Sequence, residues 1–169
     1  MADVASALIG ASAALVGGFL ANFVGESYKR HLDAKAMAGA LKGELSGHLR
    51  SFGVLQESLR ALRDEALEGR KHLIRDTGQI ASPIFESHVS KIGLLGPTLA
   101  EGVTTVYERI RAFRTGMMIL SRDGEKMEAP AYARHLGQML SLFHEGEAIR
   151  EALLRDLGAA ANAPFRPWK

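Results

Sequence analysis

The sequence predicts an all-α protein: an N-terminal transmembrane helix that continues into a long helix packed in an antiparallel helical bundle. Three observations predict it. Val4 to Val24 is a run of twenty-one residues without a charged side chain. From Glu26 to Ile74 there is no proline, and apolar residues recur at alternating steps of three and four. Beyond that, no stretch alternates apolar and polar residues as a half-buried strand would.

Composition sets the frame. With 47% apolar and 24% charged side chains, the chain is too apolar to be disordered. Its 169 residues suffice for one domain plus an appendage. The reading is residues 1–25 as a transmembrane anchor, 26–158 as a cytoplasmic helical bundle and 159–169 as a flexible tail. The absence of cysteine removes disulfides, thiolate metal sites and thiol nucleophiles together. A balance of 21 basic against 19 acidic residues is not a nucleic-acid footprint.

The first segment is long enough to span, since a helix needs about 20 apolar residues to cross the hydrocarbon core. A helix also satisfies every backbone group internally, as lipid demands. Asp3 is the only charge before it, whereas Lys29, Arg30, Lys35 and Lys42 follow it, with Glu26 and Asp33 among them. Because Lys and Arg are retained on the cytoplasmic side, the N-terminus is expected outside and Gly25 onward inside the plasma (inner) membrane. Phe23 and Tyr28 would sit near the headgroups. At 100° per residue, Ala7, Gly10, Ala11, Ala14, Gly17, Gly18 and Ala21 fall within an arc of about 120°. Asn22 continues the Gly10–Ala14–Gly18 ladder by one turn. Such a flat face lets helices approach closely and associate, with another copy or with a partner membrane protein.

The seam of the next element is Ala38, Leu41, Leu45, His48, Phe52, Leu55, Leu59, Leu62 and Ala66. One helix from the membrane to Ile74 would measure about 105 Å, with a bend expected at Gly25. Asp76-Thr77-Gly78 reads as a turn. Ser82-Pro83 reads as a capping hydroxyl followed by proline at the first helical position. The short helix it opens carries Ile84, Phe85, Val89 and Ile92 on one side, before Gly93 to Pro97 interrupts it. Thr98 to Glu101 has the form of a capping box. It opens a helix with Leu99, Val103, Val106, Tyr107, Ile110, Phe113 and Met117 along a stripe, ended by Asp123-Gly124. Pro130 opens the last helix, with Leu136, Met139, Leu140, Phe143, Ile149, Leu153 and Leu157 inward and Gly158 as its stop. The tail Phe165-Arg166-Pro167-Trp168-Lys169 reads as loose, though amphipathic enough to touch an interface or a partner.

The stretch Pro83-Ile-Phe-Glu-Ser-His-Val-Ser-Lys-Ile-Gly-Leu-Leu-Gly-Pro97, followed by Val106-Tyr-Glu-Arg-Ile110, resembles a pattern in small bacterial membrane proteins. These have an N-terminal membrane helix and a helical cytoplasmic domain. The resemblance implies the architecture and no activity.

The motifs of chemistry are missing. No Glu-x-x-His, Gly-x-Ser-x-Gly or glycine-rich phosphate loop occurs. Glu44 and His48, and His144 and Glu147, are each one turn apart, and read as a polar seam residue and a surface residue rather than metal ligands. Asp64 with Glu65 and Glu145 with Glu147 read as surface charge, without the enclosure that raises a carboxyl pKa. Arg109, Arg111, Arg114 and Arg122 with Phe113 form the one basic-aromatic cluster, with Arg111 and Arg114 on one solvated helix face. The sequence thus implies a non-enzymatic, cofactor-free, membrane-tethered interaction or scaffold module that contacts lipid and not nucleic acid. A phage-type pore or lysis protein, and an enzyme whose site forms only on assembly, are the alternatives.

Overall fold

A computed structural model describes residues 2–75 and 81–166, with side chains from residue 10 onward except 145–148. Every regular element among the described residues is helical: α1 (Ala2–Leu67), α2 (Pro83–His88), a 3₁₀ helix (Val89–Leu95), α3 (Pro97–Asp123) and α4 (Ala129–Asn162).

At 66 residues, α1 is about 99 Å long and passes through Gly25 as continuous helix. It also stops at Leu67, short of Ile74. The cause is local. Gly69 adopts φ +85°, a left-handed conformation that costs glycine little. Its N–H bonds to Ala66 O at 3.1 Å while Arg70 N–H bonds to Glu65 O at 2.9 Å, the paired bonds of a Schellman stop. The chain then runs beside the α3–α4 turn. Lys71 Nζ donates to Glu125 O and Met127 O, both at 2.7 Å, and Tyr132 Oη donates to His72 O at 2.7 Å. The Asp76-Thr77-Gly78 turn lies outside the described residues.

Helix α4 lies between α1 and α3 and runs antiparallel to both. Along α1, Gly39, Phe52 and Arg60 meet Ala161, Phe143 and His144 of α4. Along α3, Phe113 meets Phe143, and Gly116 O accepts a hydrogen bond from His135 Nε2 at 3.3 Å. A β-carbon at Gly116 would come within 2.9 Å of Met139 Cγ, so glycine permits this close approach. Helix α2 and the 3₁₀ helix wedge between α1 and α3, which scarcely touch through their backbones.

The apolar stripes pack as two cores. The first unites Met37, Ala38, Leu41 and Leu45 of α1 with Phe85, Val103, Val106, Tyr107, Leu153 and Leu157. The second unites Leu59 and Ala66 with Phe113, Leu120, Tyr132, Leu136, Met139 and Phe143. Phe52 packs against both, edge-on to Phe143 at 4.8 Å. In the seam of α1, Ala38, Leu41, Leu45, Leu59 and Ala66 are buried, while His48, Phe52, Leu55 and Leu62 are half-buried. Val89 and Ile149, expected inward, are exposed. Val89 falls where α2 tightens to the 3₁₀ helix, whose three-residue turn rotates it off the apolar side.

Three further helix ends differ from expectation. Ser82 makes no capping bond to α2. The Thr98–Glu101 capping box does not form, because α3 already begins at Pro97, behind Gly96 at φ +81°. Helix α4 passes Gly158 and ends at Asn162, whose side-chain amide donates to Gly158 O at 2.8 Å. The segment assigned to a loose tail therefore begins as helix, and Phe165 is packed on Tyr28 at 5.0 Å.

Leu59 is 3% exposed and Val54 is 69% exposed on the same helix. Leu59→Asp places an unpaired charge in the second core and is expected to cost about 3–5 kcal/mol of unfolding free energy, whereas Val54→Asp stays within about 0.5. Denaturant melts of the two variants check this; equal effects would mean the seam is wrongly placed.

Candidate functional site

Two features depart from ordinary bundle packing: a polar cluster between α1 and α3, and the uncovered N-terminal part of α1.

The cluster begins with Glu44. Pro83 occupies the first turn of α2, and the orphan amides behind it need acceptors. Glu44, reaching from α1, supplies them: Oε1 accepts Ile84 N–H at 2.9 Å and Oε2 accepts Phe85 N–H at 3.1 Å. A carboxylate is well suited to this place, since it also meets the positive end of the helix. Tyr107 Oη of α3 donates to Glu44 Oε2 at 2.6 Å, and its ring stacks on Phe85 at 4.0 Å. Burial, then the hydrogen bond to Glu44 and its charge, push the Tyr107 phenol far above its ordinary value, so it remains a donor.

One turn on, Arg114 Nη2 donates to Ser82 Oγ at 2.5 Å, and Ser82 lies 3.3 Å from His48 Nε2. Burial holds the His48 imidazole below its ordinary value; Glu44 opposes that shift and Arg114 adds to it. A neutral Nε2 accepts the Ser82 hydroxyl proton, which gives a relay from Arg114 through Ser82 to His48. Ser82 is 2% exposed, and both Glu44 oxygens are engaged. The set therefore works as a buried clasp that pins α2 to α1 and α3.

Beside the clasp the two cores separate around a cavity of about 210 Å³, lined by His48, Phe52, Leu55, Ile110, Phe113 and Arg114. Arg114 Nε is buried here without a hydrogen-bond partner, as is Arg109 Nη1 in a separate pocket lined by Val106, Phe143 and Leu142. The expected basic-aromatic array is thus dispersed. Arg114 turns inward, Arg111 pairs with Glu108 at 2.9 Å, and Arg122 pairs with Asp123 at 2.8 Å. No group of three or more His, Asp or Glu side chains suited to a metal occurs among the described residues. Glu147 and Glu145 lie outside the described side chains.

The second feature is α1 ahead of the bundle. From Gly10 to Phe23 every described side chain is exposed, with Leu15 at 75% and Phe19 at 71%. Of the expected association face, Gly10, Ala11, Ala14, Gly17, Gly18, Ala21 and Asn22 are all uncovered, and nothing lies within 4 Å of a β-carbon built at Gly10, Gly17 or Gly18. Ala7 lies outside the described side chains. Among the described residues, no helix is long and apolar enough to cross a membrane. The uncharged run begins at Val4, so its first turns precede the described side chains.

Comparison with protein-family models, curated proteins and solved structures finds no match.

Neither the role of Glu44 nor that of Ser82 was legible beforehand. The signal was present only as a proline at the start of α2 without a local acceptor for the amides behind it.

Tyr107→Phe keeps the stack on Phe85 and removes one donor to a charged acceptor. It is expected to cost about 1.5–3 kcal/mol and to speed hydrogen exchange at the Ile84 and Phe85 amides. Exchange that is unchanged would show that Glu44 is not the cap.

The folded chain binds the His48 proton less readily than the unfolded one. Its contribution is complete above about pH 6.5 and is lost as pH falls below that toward the lower folded value. Melting temperature is expected to drop between about pH 7.5 and 5.5, with a smaller drop in His48→Gln. Parallel curves for the two proteins would contradict the assignment.

Proposed function

We propose that the chain is a membrane-tethered helical interaction module, held by a single N-terminal span, with the bundle on the cytoplasmic side of a bacterial plasma membrane. The observation that supports it is the uncovered apolar half of α1. An isolated helix bearing three glycines between Gly10 and Gly18 is marginal in water, since nucleation is costly and each glycine costs about 1 kcal/mol. Leaving Leu15, Val16, Phe19, Leu20 and Phe23 in water forfeits about 1.5–3 kcal/mol for each. Lipid removes both penalties: it solvates the large side chains and makes backbone hydrogen bonds obligatory.

The run of twenty-one uncharged residues matches the hydrocarbon thickness. The basic residues Lys29, Arg30, Lys35 and Lys42 favour the proposed orientation. The small face from Gly10 to Asn22 then serves association, with a second copy or with another membrane helix. The role is non-catalytic: the clasp is closed on itself, and the module presents surfaces rather than a reaction centre.

Val16→Lys places a charge near the middle of the span, at an insertion cost of about 3 kcal/mol. Full-length protein carrying it is expected to move from the carbonate-resistant membrane fraction to the supernatant by at least about tenfold. Recovery of the unaltered chain in the aqueous fraction would defeat the reading. In a membrane two-hybrid assay, Gly10→Leu, Ala14→Leu and Gly18→Leu are expected to weaken association, while Leu15→Ala and Phe19→Ala change it less. Equal effects on both faces would remove the association surface and leave the anchor standing.

A further inference from the structure

The segment after α4 meets α1 where the apolar run of α1 finishes. Phe165 stands edge-on to Tyr28 at 5.0 Å and lies 5.4 Å from the His31 ring. Arg166, the next residue, and Arg30 both line an open groove of about 450 Å³. Phe23, Ser27, Arg30 and His31 of α1 form one wall, and Leu94 of the 3₁₀ helix and Arg166 close it. None of the groove's lining residues, among those described, is acidic. Arg30 also meets Glu26 at 3.3 Å, but both side chains are exposed and a pair of this kind holds weakly.

We propose that this groove seats the headgroup of an anionic phospholipid, its phosphate between Arg30 and Arg166 and its acyl chains along Phe19 and Phe23. The inference rests on the membrane reading and deepens it. Val24 to Arg30 is six residues, about 9 Å along the helix. The headgroup layer occupies about 5–7 Å on each side of the hydrocarbon core, so a flexible arginine at this position reaches phosphate depth. Guanidinium groups bind phosphate oxygens in bidentate fashion, which a diffuse basic surface does not require. Phe23, Tyr28 and Phe165 give the rim the aromatic character of a membrane interface. Phe165 and Arg166 thereby lie at the end of the bundle next to the apolar run.

The test uses the full chain reconstituted in phosphatidylcholine vesicles. These contain an equal fraction of brominated-chain phosphatidylglycerol or brominated-chain phosphatidylcholine. The reporter is fluorescence of Trp168, the single tryptophan, two residues beyond Arg166. A basic side chain at an anionic surface is worth about a fivefold preference, so quenching should favour phosphatidylglycerol by at least about fivefold. The preference should fall to about one in Arg30→Gln/Arg166→Gln and persist in Lys29→Gln/Lys35→Gln, whose side chains do not line the groove. Circular dichroism establishes that both variants are folded. A preference near one in the unaltered chain, with both lipids quenching, overturns the site and leaves the anchor intact. Equal loss in both double variants overturns the groove in favour of diffuse attraction. Failure to float with either vesicle overturns the membrane reading, and this inference with it.

Discussion

Glu44 is the interaction on which the arrangement of the bundle's first half depends. Its carboxylate receives two amides of α2 and the phenol of Tyr107, so one side chain of α1 fixes both neighbouring elements. The geometry has a reason in the proline. Pro83 sets φ for the first turn of α2 but contributes no donor, and the amides behind it are aimed at α1. A six-residue helix has little stability of its own, so a charged acceptor from a long, well-anchored helix decides whether it forms. Phe85 is buried on Tyr107 only because α2 is held there. The separation of α1 from α3 follows, since α2 and the 3₁₀ helix fill the space between them.

That separation explains why there are two cores and not one. The seam of α1 is apolar through Leu45 and again from Phe52, and between them lie Ser46, Gly47, His48 and Ser51. Small and polar side chains cannot fill the widening gap, and the cavity lined by His48, Phe52 and Phe113 is what remains. Phe52 and Phe113 both stand against Phe143, which joins the cores across the waist. A polar residue in a heptad seam commonly costs stability while fixing register. Here His48 is drawn into the relay with Ser82 and Arg114, so it registers α2 against α1 rather than one long helix against another.

The helices themselves were legible in the sequence because their signals are local. The stripe from Val103 to Phe113 and that from Leu136 to Phe143 follow the helical period, and both are buried as the spacing requires. The ends of the helices were less legible because their partners are remote. Ser82 had the right chemistry for a cap and a nearby competitor in His48, while the actual acceptor lay 40 residues back along the chain. Thr98 and Glu101 had the spacing of a capping box, but Pro97 had already begun the helix. Gly158 had the composition of a stop. It sits instead within α4, beside Lys42 of α1, where the contact between the two helices carries the turn onward. Spacing alone groups Arg114 with the solvated arginines of α3, since it does not show which of them faces a cleft.

The continuity of α1 connects these local facts to the proposed role. A helix that turned at Gly25 would uncouple the apolar segment from the bundle, but the described helix runs unbroken from Ala2 to Leu67. The same backbone that leaves Phe19 uncovered places Leu41 in a core and Glu44 in the clasp. Among the described residues, α4 ends at Asn162, Phe165 packs on Tyr28, and the side chains from Gly10 to Phe23 stay exposed. Coverage of α1 thus stops within about one turn of the place where its charges stop. If the uncovered part were meant for water, selection for solubility would be expected to place charges on it, as it does from Glu26 onward. The proposed anchor accounts for this coincidence between the last described contact and Glu26, the first charge after the uncharged run.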